Sequence, residues 1–180
     1  MKDETAVVTA VGSLDQDALA AIFDEYAPAL YRYLLRLGVA SQEADQTVGD
    51  VFARLLEKIA EGKGPRTNLR SYLFQIAYHL VVDRAREQQR TAPLDLADTV
   101  KEEMEPVHSR TEEKMLLEEL SIAMERELTA DQRNVIVLRF QEDFSLKETA
   151  AIIGKDINAV KALQNRGINR LRQALGRVGG

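Results

Sequence analysis

The sequence predicts an all-α protein: two small helical domains joined by a flexible acidic linker, the second domain carrying a helix-turn-helix. Three observations lead there. Apolar residues recur at intervals of three and four through most of the 180 residues, the period of a helix with one buried face. No run of alternating apolar and polar residues competes, so no strand is expected. The periodicity lapses over 91–114, where Pro93, Pro106 and an acidic excess replace the large apolar side chains, a composition that fits an extended linker. The domains are accordingly placed at 14–90 and 115–178, with 91–114 between them.

Taken in order, residues 1–13 show no period and read as a loose tail. The first helical pattern starts near Leu14 and runs through Leu19, Ile22, Phe23, Tyr26, Leu30, Tyr33, Leu34 and Leu37. Pro28 predicts a kink or a division within it, and Gly38 closes it. Ser41 is the expected cap of a second helix, 42–60, buried through Val48, Val51, Phe52, Leu55 and Ile59. Gln46, Asp50, Ala53, Arg54 and Glu57 fall on its opposite face, which composition alone assigns to solvent.

A loop over 61–68 leads to a third helix, 69–90, with Tyr72, Leu73, Ile76, Ala77 and Leu80 as core. Its other side chains, Tyr78, His79, Arg70, Arg84, Arg86 and Arg90, join Tyr72 in mixing aromatic and basic character. That mixture suits unpaired bases and their phosphates, and it equally suits tyrosines that simply pack. After the linker, a helix is expected from about 112 to 127. Thr129 and Gln132 form a capping box that opens another, through Val135, Ile136, Leu138 and Phe140.

The stretch 145–175, SLKETAAIIGKDINAVKALQNRGINRLRQAL, carries the most specific local signals. Ser145 and Glu148 make a second capping box, and Gly154 supplies the left-handed residue that ends a helix. Asn158 is the expected cap of the final helix. So short a turn forces a steep crossing, with Ala150 small at the contact and Val160 and Leu163 in the angle, which is a helix-turn-helix spacing. Val160, Leu163, Gly167, Ile168, Leu171, Ala174 and Leu175 share one face. Lys161, Ala162, Asn165, Arg166, Asn169 and Arg172 share the other, suited to base edges and phosphates, or to solvent as on any amphipathic helix.

Charge and composition narrow the function. The formal net charge is −5, with 24 basic and 29 acidic side chains. Residues 145–180 nevertheless hold 7 basic against 2 acidic groups, and residues 91–144 hold 6 against 14. Phosphate contacts supply most non-specific DNA affinity, so this pattern predicts a DNA reader that something else brings to DNA. No cysteine is present, which excludes disulfides and thiolate metal sites and is consistent with a reducing cytoplasm. The N-terminus does not resemble a signal peptide, and no stretch approaches membrane-spanning length. His79 and His108 lie far apart, and no nucleotide-binding glycine loop, H-E-x-x-H or G-x-S-x-G occurs. No catalytic residue, metal ligand or cofactor is therefore expected, and the protein is not expected to be an enzyme.

With its elements in this order, the chain resembles a bacterial RNA polymerase sigma factor of the two-domain extracytoplasmic-function (ECF) group. Three stretches carry the resemblance: EADQTVGDVFARLLEKI (43–59), LRSYLFQIAYHLVVDRAR (69–86) and LTADQRNVIVLRFQEDFSLKETAAIIGKDINAVKALQNRGINRLR (128–172). It implies a cytoplasmic, dissociable subunit that binds core RNA polymerase and directs it to promoter DNA. Gln46, Asp50 and Arg54 would face the polymerase clamp. Tyr72, Tyr78, His79, Arg84 and Arg86 would serve the minus-ten element, with His79 at the place where many relatives use an asparagine to capture a flipped base. Arg139, Lys161, Ala162, Asn165 and Arg166 match positions that approach the minus-thirty-five element. The acidic linker would lie in the RNA exit path, and an anti-sigma factor is an implied partner. The competing expectation is an autonomous helix-turn-helix regulator, which the final helices fit equally well and the acidic balance and linker fit poorly.

Overall fold

The computed structural model of the chain describes residues 16–91 and 112–178. Among the described residues the order is α1 (Gln16–Arg36), α2 (Ser41–Ala60), α3 (Leu69–Thr91), α4 (Glu112–Glu127), α5 (Ala130–Ile136), α6 (Leu146–Ile153) and α7 (Ile157–Val178). A π-helical turn, Val137–Gln141, continues α5. The tail 1–13 and most of the expected linker lie outside the described residues.

The N-terminal domain packs α1, α2 and α3 against one another. The expected division at Pro28 does not occur: α1 runs through it as one helix. Pro28 lies on the exposed side, and Leu30, Tyr33 and Leu34 beyond it are fully buried. The burial of those side chains, roughly 1.5–3 kcal/mol for each large one, outweighs a single missing N–H bond. The expected cap at Ser41 is also corrected. Ala40 occupies the cap position and Ser41 is the first helical residue. Its hydroxyl instead meets the Tyr31 hydroxyl at 2.9 Å, tying the start of α2 to α1.

Both expected capping boxes in the C-terminal domain are present, Thr129 with Gln132 and Ser145 with Glu148. Each satisfies N–H groups that the first helical turn cannot. Gly154 ends α6 at φ 64°. The cap of α7 is Asp156 rather than Asn158: Asp156 Oδ1 accepts from the Ala159 N–H at 2.9 Å. The helix thus starts before Asn158, which lies exposed in its first turn. Gly167 brings α7 close to α5, since a Cβ there would stand 3.1 Å from Ile136 Cγ1.

The two domains share one apolar core. α3 lies along α6, the first helix of the helix-turn-helix. Phe74 of α3 was not among the expected core residues; it is fully buried between Tyr33 and Phe144, at ring-centroid distances of 5.1 and 5.0 Å.

Candidate nucleic-acid interface

α7 presents its basic face to solvent. Val160 and Leu171 are buried against α5 and its neighbours. Lys161, Asn165, Arg166, Asn169 and Arg172 are exposed, and Ala162 is half-buried. This is the division that helical period predicts. Arg139 departs from the expectation. Its Nε donates to Gln164 Oε1 at 3.1 Å, and its Nη1 donates to the Phe144 carbonyl. The guanidinium thus braces α7 against the loop that leads into α6.

On α3 the candidate residues divide. His79 and Arg86 are exposed, and Tyr72 is half-buried beside Thr67, Asn68 and Gln75 in a groove between α3 and α6. Tyr78 is only 7% exposed. Burial pushes its hydroxyl above the ordinary value, and nearby Asp131 of α5 adds to the shift. The rings of Tyr78 and His79 meet edge to face at 5.6 Å. Arg84 is held by α2: it donates to Thr47 Oγ1, bonds Asp50 Oδ2 at 2.6 Å, and lies 3.7 Å from Glu43 Oε1. Because Arg84 and its two carboxylate partners are all partly exposed, each pair contributes at most about 1 kcal/mol. Their effect is to fix α2 against α3.

Gln46, Asp50 and Arg54 all lie exposed on α2. Asp50 is therefore both a candidate contact for polymerase and the partner of Arg84. The structure brings Asp50 and Arg84 together.

Apart from Tyr33, the side chains joining the domains carried no periodic signal. Glu142, only 6% exposed, receives Arg36 Nη1 at 3.0 Å and Arg70 Nη2 at 3.1 Å. Burial lifts its carboxyl above the ordinary value, while Arg36, Arg70 and Arg32 pull it down. Tyr33 donates its hydroxyl to Asn134 Oδ1 at 2.7 Å. Burial raises that phenol well above its ordinary value, with Tyr78 and Glu142 adding to the rise. Arg133 Nη1 donates to the Leu37 carbonyl at 3.1 Å. An acidic residue in a short loop, QEDF at 141–144, gives no sign of burial until its arginine partners are placed.

A family model described as Sigma-70 region 2 matches residues 22–91, and one described as Sigma-70, region 4 matches residues 126–173. The ECF RNA polymerase sigma factor SigX of Bacillus subtilis is 28% identical over 167 residues, covering 88% of this chain and 84% of the relative. The ECF RNA polymerase sigma factor BldN of Streptomyces coelicolor is 28% identical over 166 residues. That match covers 89% of this chain and 61% of BldN, so the chain spans less than two thirds of that relative. Among solved structures, the sigma factor RpoE bound to the anti-sigma factor NepR from Bartonella quintana is similar at TM-score 0.66 and 25% identity, over 87% of this chain and 96% of that one. CnrH in complex with the cytosolic domain of CnrY shares the fold at TM-score 0.70 and 20% identity, covering 97% of each chain. The two matched segments hold α1 to α3 and α5 to α7 in the family's order, and the chain belongs to the ECF group of RNA polymerase sigma factors.

Proposed function

We propose that this sigma factor binds core RNA polymerase through the exposed face of α2 and reads promoters with α3 and α7. The observation that carries the reading is the succession of two family-matched segments, 22–91 and 126–173, with an exposed basic face on the helix-turn-helix. Gln46, Asp50 and Arg54 contact the polymerase. His79, Tyr72 and Arg86 engage the melted minus-ten strand. Tyr78 joins them once uncovered, and Arg84 acts by holding α3 to α2. Lys161, Asn165 and Arg166 contact the minus-thirty-five element, with Ala162 beside them and Arg139 supporting α7. Residues 14–90 and 115–178 are the two working units and 91–114 their tether.

The protein acts by binding rather than by catalysis, and its place of action is the cytoplasm. Among the described residues, no helix is long and apolar enough to cross a membrane. RpoE and CnrH were solved in complexes with NepR and the cytosolic domain of CnrY, and an anti-sigma factor is proposed here by that likeness.

The test is transcription in vitro with purified core polymerase, at one fixed salt concentration. The expected result is weak DNA binding by the chain alone and specific transcripts once core polymerase is present. Tight, sequence-specific binding by the chain alone, without stimulation of transcription, would replace this reading with that of an autonomous regulator.

A further inference from the structure

Arg84 stands apart from the other α3 side chains considered for minus-ten DNA. Tyr72, His79 and Arg86 follow one another at seven-residue intervals, so they share one face of the helix, with a drift of about 20° per step. Arg84 comes five residues after His79, which places it about 140° round the helix from that face. Exposure agrees with phase: the Arg86 side chain is 74% exposed and that of Arg84 only 30%.

What Arg84 touches lies on α2. Its Nη1 donates to Thr47 Oγ1, and its Nη2 donates to Asp50 Oδ2 at 2.6 Å. Thr47 is fully buried, and its own hydroxyl donates to the Glu43 carbonyl at 2.7 Å. That hydroxyl has spent its proton within α2, so it meets Arg84 only as an acceptor. With Nη1 pinned in this way, the planar fork of the guanidinium fixes Nη2 as well, and through it the Asp50 carboxylate. Glu43 Oε1, 3.7 Å from Nη1, supplies a second counter-charge. Two carboxylates against one guanidinium leave the cluster with one negative charge. Asp50 Oδ1 has no hydrogen-bond partner among the described residues, and the Asp50 side chain is 53% exposed.

The structure assigns Arg84 to polymerase docking as a positioning residue: it holds the Asp50 carboxylate in one orientation, leaving Oδ1 for a cationic donor on core polymerase, and it does not contact minus-ten DNA. The inference rests on the sigma-factor reading for its partner. A side chain already held in its bound orientation loses less conformational freedom on association. Net charge acts in the opposite direction. Without Arg84 the cluster is more acidic and attracts a cation more strongly, so the sign of the change separates orientation from charge.

The test uses the full chain with purified core polymerase. Arg84→Met keeps the apolar stem that packs on α2 and removes the fork. It is expected to weaken core binding by about two- to tenfold, and Asp50→Asn to weaken it at least as much. The double variant should bind no more weakly than Asp50→Asn alone, because the two residues act as one unit. With core polymerase saturating, the salt slope of promoter binding by the Arg84→Met holoenzyme should match that of the natural sequence, whereas a lost phosphate contact would lower it by about 1. Should Arg84→Met lose its helical circular dichroism, Arg84→Lys repeats both measurements. It keeps the charge without the fork, so core binding should stay at least about twofold weak, while a phosphate contact would survive the change. Unchanged or tighter core binding by the Arg84 variants overturns the proposal. So does a full Arg84→Met defect that persists in the Asp50→Asn background, which would mark a purely structural role, or a salt slope lowered by about 1. If the natural sequence does not bind core polymerase, the sigma-factor reading itself fails and this proposal falls with it.

Discussion

The two helices proposed to read DNA stand in different states. α7 holds Lys161, Asn165 and Arg166 in solvent, and among the described residues no ion pair engages Lys161 or Arg166. α3 has one flank against α6, with Tyr78 covered and Arg84 engaged by α2. The difference lies in how each reader is made. α7 is started by short-range devices, a left-handed glycine and the Asp156 cap, and packs on the nearby α5. α3 owes its state to contacts with residues about seventy positions away, such as Glu142 and Phe144.

The largest effect comes from breaking what covers α3. Phe74 is fully buried between the domains, against Tyr33 and Phe144. Phe74→Ala should cost about 3–5 kcal/mol, the usual loss when a large aromatic leaves a cavity. Because both domains lean on this ring, the urea transition should also separate into two steps. Tyrosine fluorescence and far-ultraviolet circular dichroism followed together would reveal it. A loss below about 1 kcal/mol, with one coincident transition, would mean that the cluster is not packed in solution.

The next pair of variants sharpens the functional side of the comparison. His79→Ala should lower promoter opening, read by permanganate reactivity, while leaving core binding nearly intact. The loss should be about 1–3 kcal/mol, for stacking and a hydrogen bond to an unpaired base. Arg166→Ala should leave melting chemistry alone and weaken the upstream element. A lost base contact would cost about 1–3 kcal/mol, and a lost phosphate contact would lower the salt slope by about 1. Equal defects of both variants in both assays would erase the distinction between the readers.

That distinction also marks what the sequence made legible. The all-helical class, both capping boxes, the Gly154 stop and the two faces of α7 were all readable, because each depends on residues within a few positions of one another. The same holds for the exposed Gln46, Asp50 and Arg54. The caps at Ser41 and Asn158 were misassigned because a good capping side chain stood near the start of each helix. Tyr31 claimed the Ser41 hydroxyl, and Asp156 began α7 earlier. The coverage of Tyr78, the inward turn of Arg139 and the burial of Glu142 were not readable. Each depends on a packing partner that helical period does not identify, and a solvated acid in a QEDF loop looks identical to a buried one.

The smallest expected effect uses the two capping boxes as a matched pair. One closes with Glu148 and the other with Gln132, so only the first can titrate. Glu148 accepts from the Ser145 N–H at 2.8 Å and from Asn68 Nδ2 at 2.9 Å. These bonds, the Ser145 bond first, hold its carboxyl below the ordinary 4.5 against a smaller opposing effect of burial. The folded state therefore binds fewer protons than the unfolded one in this window. The stabilisation is full above the ordinary glutamate range and is lost as pH falls through the depressed folded value. Glu142, whose carboxyl is raised, acts with the opposite sign, so the informative comparison keeps it in both proteins. Glu148→Gln preserves a side-chain acceptor for Ser145, as Gln132 does for Thr129, and should cost less than about 1 kcal/mol at neutral pH. Its stability should then fall less steeply than that of the natural sequence as pH drops below 4.5, measured by urea denaturation across that range. Parallel curves for the two proteins would show that the Ser145–Glu148 box does not report ionisation, and that α6 is held by its buried face alone.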